Sequence, residues 1–212
     1  MNHVENKKIG FLGNNPVLSL ALGLTTALAV TGSVTTALGM GVLTFILVVL
    51  AAVIGALVKK VTPKEMLIPV NLVMAAFLAK LGELFVLAYA SSLATSVGIF
   101  LPLLAVNSLL LFASGALTED ATMGDSFKNA LLSGCAYVVA LLVVAFFREL
   151  ISTGGITLLN PLNGGEIFSF SLLSQQFTLS LFASPAGALL MTAFVGGLFQ
   201  AFGKSSEVKG GK

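Results

Sequence analysis

The stretch "NALLSGCAYVVALLVVAFF", residues 129–147, decides the fold class of this chain. It contains no charged residue, and as an α-helix rising about 1.5 Å per residue it is long enough to cross most of a hydrocarbon layer about 30 Å thick. A second stretch, "TFILVVLAAVIGALV" at residues 44–58, is apolar at nearly every position. Strands of a membrane β-barrel instead alternate apolar and polar residues. The chain is therefore predicted to be an all-α membrane protein.

The composition of the whole chain agrees with this class. Hydrophobic residues make up 57% of the sequence and charged residues only 9%, whereas an average soluble domain is about 25% charged. Six transmembrane helices are predicted, at residues 16–32, 36–58, 67–90, 97–116, 128–150 and 177–202. They form a single membrane domain over residues 14–203, between an N-terminal tail (1–13) and a C-terminal tail (204–212).

The positions of the lysines predict the orientation in the membrane. Short cytoplasmic loops are enriched in Lys and Arg, and with six spans all the lysine-containing loops and tails fall on one side. These lysines are Lys7, Lys8, Lys59, Lys60, Lys64, Lys128, Lys204, Lys209 and Lys212. Both termini are therefore expected in the cytoplasm. A cleavable signal peptide is the alternative interpretation of the first apolar run.

The sequence lacks the residue clusters that most catalytic sites need. Cys135 is the single cysteine, which excludes an intrachain disulfide, and His3 is the single histidine. No His/Cys cluster with metal-ligand spacing, no phosphate-binding glycine loop and no nucleophile triad can be built from these residues. We expect no catalytic residue and no metal ligand set in this chain, so that nucleotide and hydride chemistry belongs to other chains.

Two short stretches indicate an internal repeat. "TTALAVTG" at residues 25–32 and "SLLLFASG" at residues 108–115 align after a shift of 83 residues, which places Thr25 on Ser108. The repeats, about residues 14–92 and 96–203, each contain three helices, and an odd number inverts the second copy in the membrane. The sequence thus predicts two inverted three-helix repeats.

The first and fourth spans are the shortest, and each carries Pro or Gly near its polar residues. Interrupted helices at matching positions of two repeats indicate a site near the membrane midplane, because they aim unpaired backbone groups at a shared point. Thr25, Asn107 and Ser108 are the candidates to line it. The alternative is structural: membrane Ser and Thr often bond to a carbonyl of the preceding turn or allow close helix packing.

Two charged residues fall inside the third span. Lys80 and Glu83 lie three residues apart on one helix face, near the middle of the span. Charges inside the membrane are costly, so we interpret the pair as part of an ion path, in which Glu83 holds a cation or proton and Lys80 balances its charge. A structural ion pair, or a lysine extending toward the surface, is the alternative.

Charged residues also mark the ends of the fifth span. Arg148 and Glu149 are interpreted as an anchor at the outer membrane surface. The stretch "TEDATMGDS", residues 118–126, is expected to be a solvated turn with a helix N-cap at Asp125 or Ser126. A docking surface for a soluble partner is the alternative interpretation of this acidic stretch.

The chain from residue 151 onward carries weaker signals. Residues 151–176 are rich in turn residues and then amphipathic, which predicts a segment on the membrane surface or against a neighbouring subunit. Pro185 is predicted to kink the sixth span.

Five stretches together carry a resemblance to known proteins: "NNPVLSLALGLTTALAVT", "ALGMG", "PKEMLIP", "GIFLPLLAVNS" and "AFFREL". In order and spacing they resemble the six-helix membrane subunits of the Rnf and Nqr complexes, with the E subunit of Rnf and the D subunit of Nqr nearest in pattern. The likeness covers about residues 14–153. It implies an inverted-repeat fold, a homologous sister subunit, and a complex of the bacterial or archaeal cytoplasmic membrane that couples electron transfer to Na⁺ or H⁺ transport.

The same resemblance implies a cofactor that these residues do not favour. Family members look to contribute cysteines in "GLC" and "VNC" contexts to a [2Fe-2S] cluster shared with the sister subunit. The matching positions here are Thr25, in "GLTT", and Ser108, in "VNSL". A neutral hydroxyl is a poor iron ligand compared with a thiolate. No cofactor is predicted from this chain's own ligands, and flavin, NAD and other iron–sulfur centres are expected on partner subunits.

We therefore expect an integral-membrane subunit of an Rnf- or Nqr-like ion-translocating oxidoreductase. It is not catalytic alone, and it contributes to the ion path and to membrane electron transfer with its sister subunit. The alternatives are a redox-independent secondary transporter and a structural subunit on the same fold. No nucleic-acid partner is expected.

Overall fold

The computed structural model describes Gly23 and residues 28–115, 123–160, 164–171, 180–184 and 186–197. The predictions about the two tails, Thr25 and Pro185 lie outside these residues. The helices are α1 (Val34–Val58), α2 (Leu67–Tyr89), α3 (Ser91–Val97), α4 (Ser108–Ala113), α5 (Met123–Thr153) and α6 (Ala186–Gly197). Residues 28–30 are also helical and precede α1.

Three of the described helices are long and apolar enough to cross a membrane: α1, α2 with the 3₁₀ turn Lys64–Met66 before it, and α5. They confirm the predicted second, third and fifth spans. Each forms for the reason the sequence indicates, since long and mainly apolar runs satisfy their backbone groups within the helix. Ser33 sets the start of α1, because its Oγ accepts a hydrogen bond from the Thr35 N–H at 3.3 Å.

The predicted fourth span is broken into short pieces. After α3, the chain forms 3₁₀ turns over Gly98–Phe100 and Pro102–Val106, and α4 begins only at Ser108. Gly98 has φ +53°, a conformation that favours glycine, and a proline begins the second turn because it lacks the N–H that a helix interior requires. The prediction of a short or broken fourth helix is confirmed, although its pieces begin at Ser91 rather than at residue 97.

Two boundaries near α5 differ from expectation. The helix already begins at Met123, so Asp125 and Ser126 lie in its first turn and the predicted N-cap at those positions is wrong. At the other end α5 continues to Thr153. Its 31 residues extend the span beyond the apolar run, because charged and polar residues at both ends continue the helical hydrogen bonding.

A β-hairpin follows α5, and the all-α prediction did not include it. Strands β1 (Gly155–Leu159) and β2 (Glu166–Ser171) pair antiparallel, with Gly155 opposite Ser171 and a bulge at Leu158/Leu159. β-branched and aromatic residues favour these strands, and Gly164 turns the chain with φ +68°. Of the predicted sixth span, the structure describes a 3₁₀ turn at Ser180–Ala183 and then α6.

The core lies between α1 and α5, with α4 packed against α1 and the 3₁₀ turn Pro102–Val106 packed against α2. Small residues permit the close approach that helix packing in membranes requires. Gly55 of α1 is the tightest case, because a Cβ there would collide with the carbonyl oxygen of Ser114, directly after α4. This contact fixes how closely the short helix approaches α1.

Candidate functional site

The break before α4 is organised by Asn107. Its backbone is extended, at φ −70° and ψ 118°, and its Oδ1 accepts a hydrogen bond from the Leu109 N–H at 2.9 Å. The residue is fully buried among apolar neighbours. Asparagine is among the preferred N-caps because its side chain satisfies an orphan N–H of the first turn. Asn107 therefore starts a helix inside the protein, where water cannot supply the missing partner.

Ser108 links this break to the predicted first span. Its Oγ accepts a hydrogen bond from the backbone N–H of Gly23 at 2.9 Å, across 85 residues of sequence. Gly23 is buried and has φ +71°. A Cβ at Gly23 would lie 2.9 Å from Cε2 of Tyr137 and 3.1 Å from Oδ1 of Asn107. Gly23, Asn107, Ser108 and Tyr137 thus form one packed polar cluster, which we call the junction.

Sequence reasoning identified Asn107 and Ser108 but missed Tyr137. This residue is fully buried near the middle of α5 and packs its ring against Gly23. The available signal was its hydroxyl, since Tyr137 is the single tyrosine in the apolar stretch 129–147. Buried tyrosines combine apolar packing with a polar tip that needs a partner. Thr25, the other predicted member of the site, lies outside the described residues.

Lys80 and Glu83 lie elsewhere, on the outward face of α2. Their Nζ and Oε2 atoms are 3.1 Å apart, and the exposed fractions of the side chains are 63% for Lys80 and 16% for Glu83. None of the hydrogen bonds described for Asn107 or Ser108 involves either residue. The structure therefore groups the predicted site residues into two sets, the junction and this ion pair.

Arg148 and Glu149 are buried rather than exposed at the membrane surface, so their interpretation as a surface anchor is wrong. Arg148 donates to the carbonyl oxygens of Phe182 at 2.8 Å, Ser184 at 3.2 Å and Leu28 at 3.1 Å. It also donates to Oγ1 of Thr31 at 3.0 Å. The guanidinium thus joins two separate segments, residues 28–31 and 182–184, by donating to their backbone carbonyls and to the Thr31 hydroxyl.

Glu149 accepts hydrogen bonds from N–H and hydroxyl groups, whereas Arg148 donates to oxygens. Its Oε2 accepts from the Val34 N–H at 2.5 Å, in the first turn of α1, and its Oε1 accepts from the N–H and hydroxyl of Thr157 at 2.8 and 2.9 Å. Thr35 strengthens the same contact, since its Oγ1 accepts from the Leu159 N–H at 2.9 Å. We call Arg148 and Glu149 the clamp, because together they bind residues 28–34, residues 182–184 and the hairpin.

The donor atoms at the junction do not fit an iron–sulfur cluster. The Ser108 hydroxyl is neutral and already accepts the Gly23 N–H, whereas such clusters are held by thiolates. Cys135 lies on α5 with its side chain exposed, while Tyr137 two residues on faces the junction. Among the described residues no group of three His, Cys, Asp or Glu side chains could hold a metal ion.

The fold and the junction define a class: a multi-span helical membrane protein whose short central helix begins at a buried polar break. Comparison with known proteins gives the family. The Rnf-Nqr family, described as "Rnf-Nqr subunit, membrane protein", matches residues 5–197. The chain belongs to the Rnf-Nqr family, and the family resemblance seen in the sequence is confirmed.

Three relatives within the family indicate which type of subunit this chain resembles. The chain is 31% identical over 199 residues to the E subunit of the Na(+)-translocating ferredoxin:NAD(+) oxidoreductase complex of Acetobacterium woodii, covering 93% of this chain and 96% of the relative. It is 32% identical over 195 residues to the E subunit of the ion-translocating oxidoreductase complex of Shewanella oneidensis, covering 90% and 83%. The corresponding protein of Shewanella frigidimarina is 37% identical over 145 residues, covering 68% of this chain and 63% of the relative.

Proposed function

We propose that this chain is the E-type membrane subunit of an Rnf-like complex, which couples electron transfer to movement of Na⁺ or H⁺ across a bacterial cytoplasmic membrane. It acts with a homologous sister subunit and is not catalytic alone. The names of its relatives support the type of complex. The observation that carries the ion-path role is the partly buried hydrogen bond from the Gly23 N–H to Ser108, which joins two distant segments at the broken helix.

The junction has the properties of a constriction. Asn107 is fully buried, and Ser108 places a hydroxyl oxygen at the start of a short helix. Amide and hydroxyl oxygens are the ligands that hard cations prefer. In membrane transporters, broken helices place such groups near the midplane where two repeats meet. Thr25 is proposed to line the same constriction from the first span.

Two features support the inverted repeat. The helical residues 28–30 are followed by a turn at Thr31 and Gly32, and α4 is followed by a turn at Ser114 and Gly115. These are the positions that the shift of 83 residues aligns. The two turns lie three helices apart in the predicted order, which inverts their direction in the membrane. We propose six spans on this basis, with both termini cytoplasmic as the lysine distribution predicts.

A small, mainly apolar cleft with three polar residues lies at the other end of α4, and we propose it as the cytoplasmic entrance. Ser126, Asn129 and Ser133 of α5 line it together with Phe112, Ala113 and Gly115. The spacing of the three polar residues places them along one face of α5. The carbonyl end of α4 faces the same space and carries the negative end of the helix dipole, which favours a cation.

Glu83 is proposed as a second position on the ion path. Its carboxylate is paired with Lys80 at 3.1 Å, so that a cation arriving at Glu83 competes with an internal ammonium. An internal counter-ion weakens cation binding, and weak binding allows release as well as entry. The outward position of this pair means that the route past it runs along a surface of the subunit.

Transport in liposomes tests the junction. Purified complex with Ser108→Ala is expected to move about tenfold fewer ions per electron transferred. The variant loses one hydrogen bond, and a loss of about 1.4 kcal/mol shifts the equilibrium of the coupled arrangement about tenfold. Ser108→Thr keeps the hydroxyl and is expected to retain coupling. Ser96→Ala is the matched control, because Ser96 is exposed and its hydroxyl bonds to the Ser92 carbonyl of its own turn. Coupling unchanged in Ser108→Ala would refute the constriction.

The same liposomes identify the ion. Uptake of Na⁺ that persists when a protonophore is added assigns Na⁺ as the transported ion. Acidification of the lumen that needs no Na⁺ assigns H⁺.

Ser108 offers a neutral hydroxyl, which does not fit an iron–sulfur cluster. This favours a second candidate function, a transporter on this fold without redox coupling. The Thr25→Cys/Ser108→Cys variant tests the relation to the family's cluster. We expect a [2Fe-2S] absorption spectrum only in that variant, and only together with a cysteine-bearing sister subunit. Recovery of the wild-type chain alone, folded and without other subunits, would favour the transporter.

A further inference from the structure

The Lys80–Glu83 pair lies deep in the membrane and faces away from its own subunit. Helix α2 has 23 residues, so Lys80 lies about 20 Å from the start of the helix and about 14 Å from its end. Lys80 therefore lies well inside a hydrocarbon layer about 30 Å thick. The Lys80 side chain is nevertheless 63% exposed on this subunit.

Lipid cannot satisfy this pair. Placing a charged side chain at the centre of a bilayer costs several kcal/mol even on the most favourable scales, and such residues nearly always face protein or a water-filled cavity. The four-carbon stem of lysine is much shorter than the distance to either surface, which excludes relief by extension to the headgroups. The ion pair reduces the cost but leaves the ammonium with unused donors.

The exposed residues around Lys80 follow the spacing of a helix–helix contact. Val73, Phe77, Lys80, Leu84 and Leu87 succeed one another at intervals of four and three residues, and all are exposed. Intervals of this kind produce a straight seam that fits one partner helix. Ala76 and Ala88 lie beside the seam and are also exposed, which allows a close approach. We call Val73, Phe77, Lys80, Leu84 and Leu87 the α2 seam.

We propose that the α2 seam is the contact with a membrane-spanning helix of another subunit, which presents a carboxylate or another hydrogen-bond acceptor opposite Lys80. The inference rests on the proposed membership of a multi-subunit complex. The charge distribution selects the partner's chemistry. Lys80 is the more exposed member of the pair and Glu83 the more buried one, so that the group offered to the partner is a cation. A second copy of this chain would bring a second exposed lysine to the seam instead.

Site-specific photo-cross-linking in the purified complex tests the contact. A photoreactive amino acid is placed at Val73, Phe77 or Leu84, and the cross-linked subunit is identified by mass spectrometry. The control position is Ile46, which is 49% exposed on α1 and lies outside the seam. We expect seam positions to cross-link to one other membrane subunit, in greater yield than Ile46. Cross-links only to lipid, or to a second copy of this chain, would overturn the proposal.

Charge variants test the chemistry separately. Lys80→Leu/Glu83→Leu removes both charges, which would leave assembly unchanged or improved if the seam faced lipid. At a contact with an acceptor, the double variant is expected to bind the partner about tenfold more weakly. Lys80→Glu/Glu83→Lys keeps an ion pair but exposes a carboxylate, and we expect still weaker assembly. Assembly equal to wild type in both variants would contradict the proposal.

The two proposals fail in distinguishable ways. A wild-type chain that co-purifies with no other membrane subunit would overturn the proposed function and this inference together. A complex that assembles but shows no seam cross-link would overturn only the inference. Glu83→Gln tests the ion path alone, because it keeps a polar side chain beside Lys80. Loss of transport with normal assembly in this variant would separate the ion-path role of Glu83 from docking at the seam.

Discussion

Gly23→Ala is the substitution that most directly tests the junction. The residue has φ +71°, and a Cβ would lie 2.9 Å from Cε2 of Tyr137 and 3.1 Å from Oδ1 of Asn107. A non-glycine residue in the left-handed region costs about 1–2 kcal/mol, and overpacking a filled core costs about 1–3 kcal/mol. The two effects together predict a loss of about 2–5 kcal/mol in the free energy of unfolding.

The measurement is unfolding of the purified protein in mild detergent, with Gly32→Ala as control. Among the described residues no atom lies within 4 Å of a Cβ built at Gly32, and its φ is not positive, so we expect a change within about 0.5 kcal/mol. Adding Tyr137→Leu to Gly23→Ala is expected to recover the overpacking part but not the backbone part. Equal stability of Gly23→Ala and Gly32→Ala would refute the packing described for the junction.

Three further substitutions test the clamp and the helix contact. Glu149→Gln is expected to cost about 2–3 kcal/mol, because its amide turns donors toward backbone N–H groups, and faster hydrogen exchange at Val34 and Thr157 would show it. Arg148→Lys is expected to lower the thermal midpoint through loss of the planar donor fork, and an unchanged midpoint would contradict the clamp. Gly55→Ala is expected to cost about 1–3 kcal/mol, since its Cβ would collide with the backbone oxygen of Ser114. Gly124→Ala is the control in the same melting assay, because no atom of the described residues lies within 4 Å of its Cβ.

The β-hairpin shows where sequence patterns were insufficient. The stretch 151–176 contains turn residues and a few alternating apolar positions, and short strands leave a weak pattern. The hairpin is held by partners far along the chain: Glu149 accepts from Thr157, and Thr35 bonds to β1. A local pattern cannot report hydrogen bonds that form only when α1 and α5 are adjacent.

Arg148 and Glu149 show the same limit for charged residues. Two charges at the end of an apolar run ordinarily indicate the membrane surface, and that interpretation is wrong here because both are buried, at 3% and 2% exposed. Their partners are backbone groups and threonine hydroxyls of segments up to 120 residues away in sequence. The family pattern "AFFREL" marked the pair as unusual but carried no information about its partners.

The sequence by itself determined that the chain lies in a membrane, where its three long spans lie, and where the fourth span is interrupted. Apolar runs of sufficient length cross a bilayer whatever their neighbours are, and Gly98, Pro102 and Asn107 interrupt a helix through their own backbone properties. Only the tertiary structure decided which groups meet: the Gly23 N–H with the Ser108 hydroxyl, and the ring of Tyr137 against Gly23. The physical reason is that backbone conformation depends on neighbouring residues, whereas buried polar groups take whichever partner the packed helices bring within hydrogen-bonding distance.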